Sequence, residues 1–240
     1  MTPPHASSPP VSARVVSLVP SVTETLLAWG VVPVACTRFC EQPDLDHVGG
    51  TKDPDVAAIV ALRPDLVVVD EEENRREDAD ALMAAGLVVH VLAVRSLADV
   101  PPALDGLAAE LGVASATVAR DAGVGPPPPS RRAFVPIWRR PWMTINDDTY
   151  GSSLLAAAGV ANVFGADAAR YPQTSLEDAA ARRPDLVLAP SEPYPFSERH
   201  RAELESVAPV VLVDGRDLFW WGSRTPAALE RLRTQLTVDR

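Results

Sequence analysis

Hydrophobic positions along this chain follow two rhythms that alternate. Short apolar runs without polar alternation cover Arg14–Val19, Val31–Cys36, Leu66–Val69, Leu87–Leu92, Ala133–Trp138, Leu186–Ala189 and Val210–Val213. Such runs predict strands buried on both faces. Between them lie Ala-rich stretches with apolar residues at helical spacing, predicting helices over Ser21–Trp29, Asp53–Leu62, Arg75–Ala85, Ser96–Leu111, Thr149–Ala158, Leu176–Arg182 and Pro226–Leu236, and from the loop after Phe196 to about Val207. Ser21…Glu24, Ser96…Asp99 and Thr174…Glu177 have the capping-box pattern of helix starts. Gly30, Gly86 and Gly159 mark helix ends. Strands alternating with helices imply an α/β fold with parallel sheets and right-handed crossovers.

One stretch occurs twice. Arg63-Pro64-Asp65-Leu66-Val67 returns as Arg183-Pro184-Asp185-Leu186-Val187, 183 − 63 = 120 positions later in a chain of 240. Each copy follows a helical run and opens a strand. Proline stops the helix and pushes the preceding residue out of the α region. Coincidence in an Ala/Arg/Pro-rich chain is the alternative, but the flanking elements match too. The repeat predicts two lobes of one βαβα plan. The Pro/Ser-rich residues 1–12 are expected to be a disordered tail, 13–112 an N-terminal lobe and 133–240 a C-terminal lobe. The connector, 113–132, would hold a short helix over Ala114–Ala122 and then Gly125 and four prolines, a stiff spacer. Two such lobes predict a ligand cleft between them, at the carboxyl ends of the strands.

Composition narrows the partners. A hydrophobic fraction of 47% with 22% charged residues is ordinary for a globular protein. The net charge of −10 argues against nucleic acid, which needs clustered Lys and Arg. No run approaches a membrane span. The start lacks the basic and apolar parts of a secretory signal, so a cytoplasmic location is expected if Met1 is the true start. There is no G-x-S-x-G, P-loop, G-x-G-x-x-G after a strand or H-E-x-x-H, and the 4 His give no obvious triad. The expectation is therefore no enzyme, no resident metal and no intrinsic cofactor. Cys36 and Cys40 read as free thiols, with a disulfide or a thiolate ligand as alternatives.

Candidate chemistry lies in the strand-end loops. In the first half these hold Ser21 at a helix start and the acidic Asp70-Glu71-Glu72-Glu73-Asn74. In the second they hold Arg139, Arg140, Trp142, Tyr194, Phe196, Trp220, Trp221 and Arg224. Large rings in loops suit stacking on a flat, bulky ligand, or packing beneath the loops. The arginines suit an anionic ligand group or pairing with acidic loops. The acidic loop suits a solvated patch, a cleft rim or a docking surface. Trp29 and His200 read as structural.

The segments RVVSLVPSVTETLLAWG (14–30), VGGTKDPDVAAIVALRPDLVVVDEEENRRED (48–78), VPIWRRPWM (135–143), RRPDLVLAPSEPYPFSERH (182–200) and LFWWGSRTPAAL (218–229) together resemble the class III substrate-binding proteins of ABC importers. These are the helical-backbone metal receptors that include periplasmic cobalamin-binding proteins. The resemblance implies two Rossmann-like lobes joined by a short backbone helix and the proline-rich segment, an extracytoplasmic location and a monomer. It implies a transported ligand that is a cobalt corrinoid first, and haem or an Fe(III)-siderophore next. Candidate ligand-binding residues are Ser21, Glu72, Asn74, Trp142, Tyr194, Phe196, Trp220, Trp221 and Arg224. The resemblance also implies one docking Glu per lobe facing a membrane permease, with Glu73 or Glu77 and Glu192 or Glu198 as candidates. A cytoplasmic corrinoid- or haem-handling enzyme or metallochaperone on the same fold is the alternative, and a regulatory module using the acidic loop is a third reading.

Overall fold

The structure is a computed structural model that describes residues 13–115 and 127–238. The tail expected over 1–12, and residues 116–122 of the helix expected in the connector, lie outside the described residues. The chain packs as two compact units, one to Leu92 and one from Ala93.

In the first unit the elements run β1 (Val15–Ser17), α1 (Pro20–Ala28), β2 (Ala35–Cys36), β3 (Asp46–His47), α2 (Val56–Leu62), β4 (Leu66–Asp70), α3 (Arg76–Ala84) and β5 (Val89–Leu92). The strands form one sheet in the order β3-β2-β1-β4-β5, every pair parallel. Val16, Val67 and Val69 of the central strands and Leu18 just past β1 pack with Ile59 of α2 and Leu82 of α3 in its core.

The second unit begins with a short 3₁₀ turn (Leu97–Asp99) that leads into α4 (Val100–Leu111). It continues with β6 (Arg131–Phe134), β7 (Trp142–Met143), α5 (Tyr150–Ala157), β8 (Val160–Asn162), β9 (Gln173–Thr174), α6 (Leu176–Ala181) and β10 (Leu186–Pro190). Next come a 3₁₀ turn (Glu198–His200), α7 (Arg201–Leu204), β11 (Val210–Val213), α8 (Gly215–Phe219) and α9 (Thr225–Val238). Its parallel sheet has the order β11-β10-β6-β8, and β7 pairs antiparallel with β9. Phe134, Phe164, Val187, Ala189, Phe196 and Leu204 form its core. The two sheets share one plan, with β1, β2, β4 and β5 answering to β6, β8, β10 and β11.

The repeated pentapeptide explains how that plan is pinned. Arg63 and Arg183 both turn the chain through the left-handed region, at φ 48° and 52°. Each following Asp then clips the start of the neighbouring strand. The Asp65 carboxylate accepts the Arg14 N–H at 2.8 Å, and the Asp65 N–H donates to the Arg14 carbonyl at 2.8 Å. Asp185 does the same with Arg132, at 2.7 Å and 2.8 Å. The clips fix the amino ends of the central strand pairs and leave the carboxyl ends to the variable loops. Left-handed backbone costs a residue with a Cβ roughly 1–2 kcal/mol. Both arginines are exposed, so Arg63→Gly and Arg183→Gly are each expected to raise stability by up to about 1 kcal/mol, measured by urea unfolding.

Several boundaries move for physical reasons. α1 starts at Pro20, with Val19 as an N-cap that offers no side chain, so Ser21 is inside the helix and the Ser21/Glu24 capping box does not form. Proline is well placed there because the first helical N–H has no partner to lose. The strands expected over Val31–Cys36 and Ala133–Trp138 are shorter because Pro33 and Pro136 interrupt the ladder. Ser175, not Thr174, caps α6. The Ser96/Asp99 capping box forms as expected. Gly30 and Gly159 close α1 and α5 with φ of 78° and 80°. The units divide at Leu92, where the sequence rhythm placed the lobe boundary at 112. The segment leading into α4 is tied to the second unit, since the Leu97 N–H donates to Ser153 Oγ on α5 at 3.0 Å.

Candidate functional site

In open parallel sheets, ligand loops cluster where neighbouring strands run their connections in opposite directions. That switch point falls between β1 and β4 in the first unit and between β6 and β10 in the second.

At the first switch point the acidic loop is a built turn. Asp70 Oδ1 accepts the Glu72 N–H at 2.8 Å and the Glu73 N–H at 3.3 Å. Asn74 uses its whole amide: Oδ1 accepts the Asp70 N–H at 2.8 Å, and Nδ2 donates to the carbonyls of Leu18 at 3.1 Å and Thr51 at 3.0 Å. It is buried and ties the β1 and β4 loops together, so its polar atoms face the loop's own backbone. The Lys52 ammonium donates to the Glu72 carbonyl at 2.6 Å. Glu71, Glu73 and, on the first turn of α3, Glu77 are exposed, while Glu72 is half-buried. Ser21 is buried in α1, and its carbonyl accepts the Thr25 hydroxyl at 2.9 Å.

At the second switch point the rings form a continuous chain of contacts. Trp138 meets Tyr194 edge-on at 5.6 Å, Tyr194 lies 4.8 Å from Phe196, and Phe196 stacks on Trp142 at 6.0 Å with planes 5° apart. Trp138 is 44% exposed and Tyr171 is 41% exposed, whereas Phe196 and Trp221 are buried. Trp142, Tyr194 and Trp220 are half-buried. The sequence grouped Phe196 and Trp221 with the stacking residues, but their burial makes them the support beneath. Trp138, at the end of the β6 segment, is the ring that the sequence left unassigned and the structure exposes most among the tryptophans. Its position just past an apolar run was the available signal.

His200 packs against this cluster, 5.5 Å from both Tyr194 and Phe196, and its Nδ1 accepts the Ser197 N–H at 3.1 Å. Burial first, then the positive Arg199 and Arg139 nearby, holds its pKa below the ordinary value. The unfolded chain then binds the proton more readily, so this contribution to stability is complete above the unfolded value of about 6.5. It is lost as pH falls through the folded value. Melting temperature is expected to drop on acidification below about pH 6.5, and His200→Gln to remove that part of the drop.

A charged cluster flanks the rings. Asp217, 6% exposed, receives Arg224 Nη1 at 2.9 Å and Arg231 Nε and Nη2 at 2.6 Å each. Arg224 lies over the Trp220 ring at 5.5 Å. Trp220 Nε1 donates to Glu192 at 3.2 Å. Ser191 Oγ accepts the Gly215 N–H at 2.9 Å. A Cβ at Gly215 would come within 2.5 Å of the Glu192 backbone nitrogen, so the β10 and β11 loops close on each other only with glycine there. Sequence reasoning missed Asp217 and Arg231, because single charged residues on α8 and α9 carry no pattern that pairs them. Arg139 pairs with Glu203 at 2.9 Å, and Glu198 with Arg201 at 2.6 Å, which lowers the Glu198 pKa. Among the described residues no three His, Cys, Asp or Glu side chains gather to hold a metal ion. Nor is any helix there long and apolar enough to cross a membrane.

The profile of the periplasmic binding protein family matches residues 15–121. A vitamin B12-binding protein of Pectobacterium carotovorum is 26% identical over 244 residues, covering 94% of this chain and 88% of the relative. The fold is similar to that of the periplasmic vitamin B12-binding protein of Vibrio cholerae, with a TM-score of 0.76 at 21% identity, covering 94% of this chain and 97% of that one. It is equally similar to a periplasmic haem-binding protein in complex with two haems, with a TM-score of 0.77 at 23% identity over 94% and 98% of the two chains.

Proposed function

We propose that this chain, whose residues 15–121 match the periplasmic binding protein profile, is a binding protein of that kind and captures a flat metal-bearing chelate outside the cytoplasm for an ABC importer. A cobalt corrinoid comes first and haem or an iron siderophore next. The observation that carries this reading is the ring cluster at the second switch point, Trp138, Tyr194 and Trp142 around buried Phe196. Wide π faces offer large contact area to a macrocycle with little side-chain entropy to lose. The relatives named for vitamin B12 and haem support the same ligand class.

Roles follow from exposure. Trp138, Trp142, Tyr194 and Trp220 would contact the chelate. Phe196 and Trp221 would hold them from below. Arg224, already aimed by Asp217, would meet a carboxylate or amide oxygen on the ligand rim. The chelate brings its own metal ligands, so the protein need supply none. Glu77 and Glu198 are the carboxylates best presented to a permease, being exposed on the first turns of their helical segments. Glu198 also pairs with Arg201 at the surface, and Glu192, half-buried, is engaged with Trp220.

The test is tryptophan emission during titration with cyanocobalamin, haemin and a ferric siderophore. Saturable quenching by one of them, at micromolar or lower concentration, supports the reading. Absence of quenching by all three contradicts it.

A further inference from the structure

A histidine stands where a helix start ordinarily carries a glutamate or glutamine. Ser197 and His200 form a capping box: Ser197 Oγ accepts the His200 N–H, and His200 Nδ1 accepts the Ser197 N–H at 3.1 Å. The usual third-position partner in that box is Glu or Gln, whose oxygen accepts at neutral pH and below. His200 accepts only while its ring is uncharged. Its other nitrogen, Nε2, lies 3.3 Å from Arg199 Nε. Two N–H donors thus face the ring, and a neutral imidazole can answer one of them whereas an imidazolium answers neither. The residue is 4% exposed, which leaves little room for water to intervene. The charges around it also have the wrong sign for an imidazolium. Arg199 lies on its own turn and Arg139 in the loop after β6, while Glu203 of α7 is already bonded to Arg139 at 2.9 Å. Tyr194 and Phe196 each meet the ring edge-on at 5.5 Å.

We propose that neutral His200 is the positioning residue of the ring cluster and that its protonation releases the ligand; the proposal rests on the reading of that cluster as the chelate site. Tyr194 and Phe196 run directly into the box. Tyr194 in turn meets Trp138, and Phe196 stacks on Trp142. With the box closed, this segment holds both rings against the imidazole. A proton on Nδ1 turns the acceptor into a donor opposed to the Ser197 N–H, and the box opens. His200 then leaves its site for water, and Tyr194 and Phe196 lose the ring that supports them. The liganded state takes the neutral imidazole, so ligand release takes up one proton. Burial, then Arg199 and Arg139, holds the folded pKa of His200 below its ordinary value of about 6.5. Affinity is therefore complete above that ordinary value and falls as pH drops through the folded one, with a limiting slope of about tenfold per pH unit.

The experiment follows the full chain from about pH 7.5 to about pH 5, a range that spans the ordinary histidine value. One readout is calorimetric titration with cyanocobalamin. The other is near-ultraviolet circular dichroism of the ligand-free chain, which reports how the rings are packed. Wild type is expected to lose affinity and ring signal together on the acid side of about pH 6.5. His200→Gln keeps an acceptor that takes no charge, so it should hold one affinity and one ring signal across the whole range. Far-ultraviolet circular dichroism checks that the variant is folded, and the wild-type profile is a test without it. A wild-type affinity that does not change with pH overturns the proposal, as does the same pH dependence in wild type and folded His200→Gln. If cyanocobalamin does not bind at the neutral end, the corrinoid reading of the site falls, and the ring signal alone decides on His200. Loss of that signal in wild type but not in His200→Gln upholds its positioning role, and any other pattern overturns it.

Discussion

Replacing Asp217 with alanine is expected to destabilise the protein by about 3 kcal/mol and to weaken chelate binding as well. The carboxylate is buried and receives three bonds from two guanidinium groups. Removing one partner of a buried pair costs more than the pair itself contributes, because the remaining charge is left without compensation. Arg224, 17% exposed, would bear most of that cost, whereas Arg231, 54% exposed, can turn to water. The loss corresponds to a fall in melting temperature of roughly 6–12 °C for a chain of this size. Asp217→Asn keeps the shape and half the hydrogen bonding and should lie between. The two readouts separate two roles. If Asp217 only stabilises, affinity measured well below the melting point stays at the wild-type value. If it also aims Arg224, affinity falls in both variants and falls further in Arg224→Ala.

Truncating the exposed tryptophans should move affinity instead of stability. Trp138→Ala and Trp220→Ala are each expected to weaken chelate binding about thirtyfold, from a hot-spot loss of about 2 kcal/mol. Trp138 is only loosely packed, through an edge contact to Tyr194, so its removal leaves the core intact. Trp221→Ala is the contrasting case. Trp221 is buried, and its truncation opens a cavity that costs about 3–5 kcal/mol of stability. The measurements are calorimetric titration for affinity and urea unfolding for stability. Equal stability losses in Trp138→Ala and Trp221→Ala would place both rings in the core and remove the stacking surface from the account.

The fold was legible because its signals are local and repeated. An apolar run without alternation marks a covered strand, and the Arg-Pro-Asp-Leu-Val copies marked equivalent units. The sequence read that motif as a helix stop. The structure adds that Asp65 and Asp185 are clips across to the neighbouring strand, a contact some fifty residues away in the chain that no local pattern announces. Boundaries slipped where proline acts at a distance of one or two residues, as at Pro20 and Pro33. The short helix over Gly215–Phe219 was missed because Asp214-Gly215 reads as a turn until Asp214 is seen to accept the Arg216 N–H.

The candidate site was legible as to chemistry but not as to exposure. Aromatic loops pointed to strand ends where the rings do gather, yet composition does not tell an exposed Trp138 from a buried Trp221. Asn74 looked like a polar ligand contact and is a staple between two loops. Ser21 looked like a helix cap and is the second residue of its helix, buried in the first turn. Asp217, which aims Arg224, had no signal at all, since its partners lie 7 and 14 residues further on across a loop and a helix.

Native mass spectrometry of the full chain, offered cyanocobalamin, haemin and a ferric siderophore together at equal concentration, tests the central claim most directly. One chelate is expected to be retained per chain, with the corrinoid favoured, and the complex to be lost in a Trp138→Ala, Trp220→Ala double variant. A spectrum of bare protein with all three, or retention undiminished in the double variant, would contradict it.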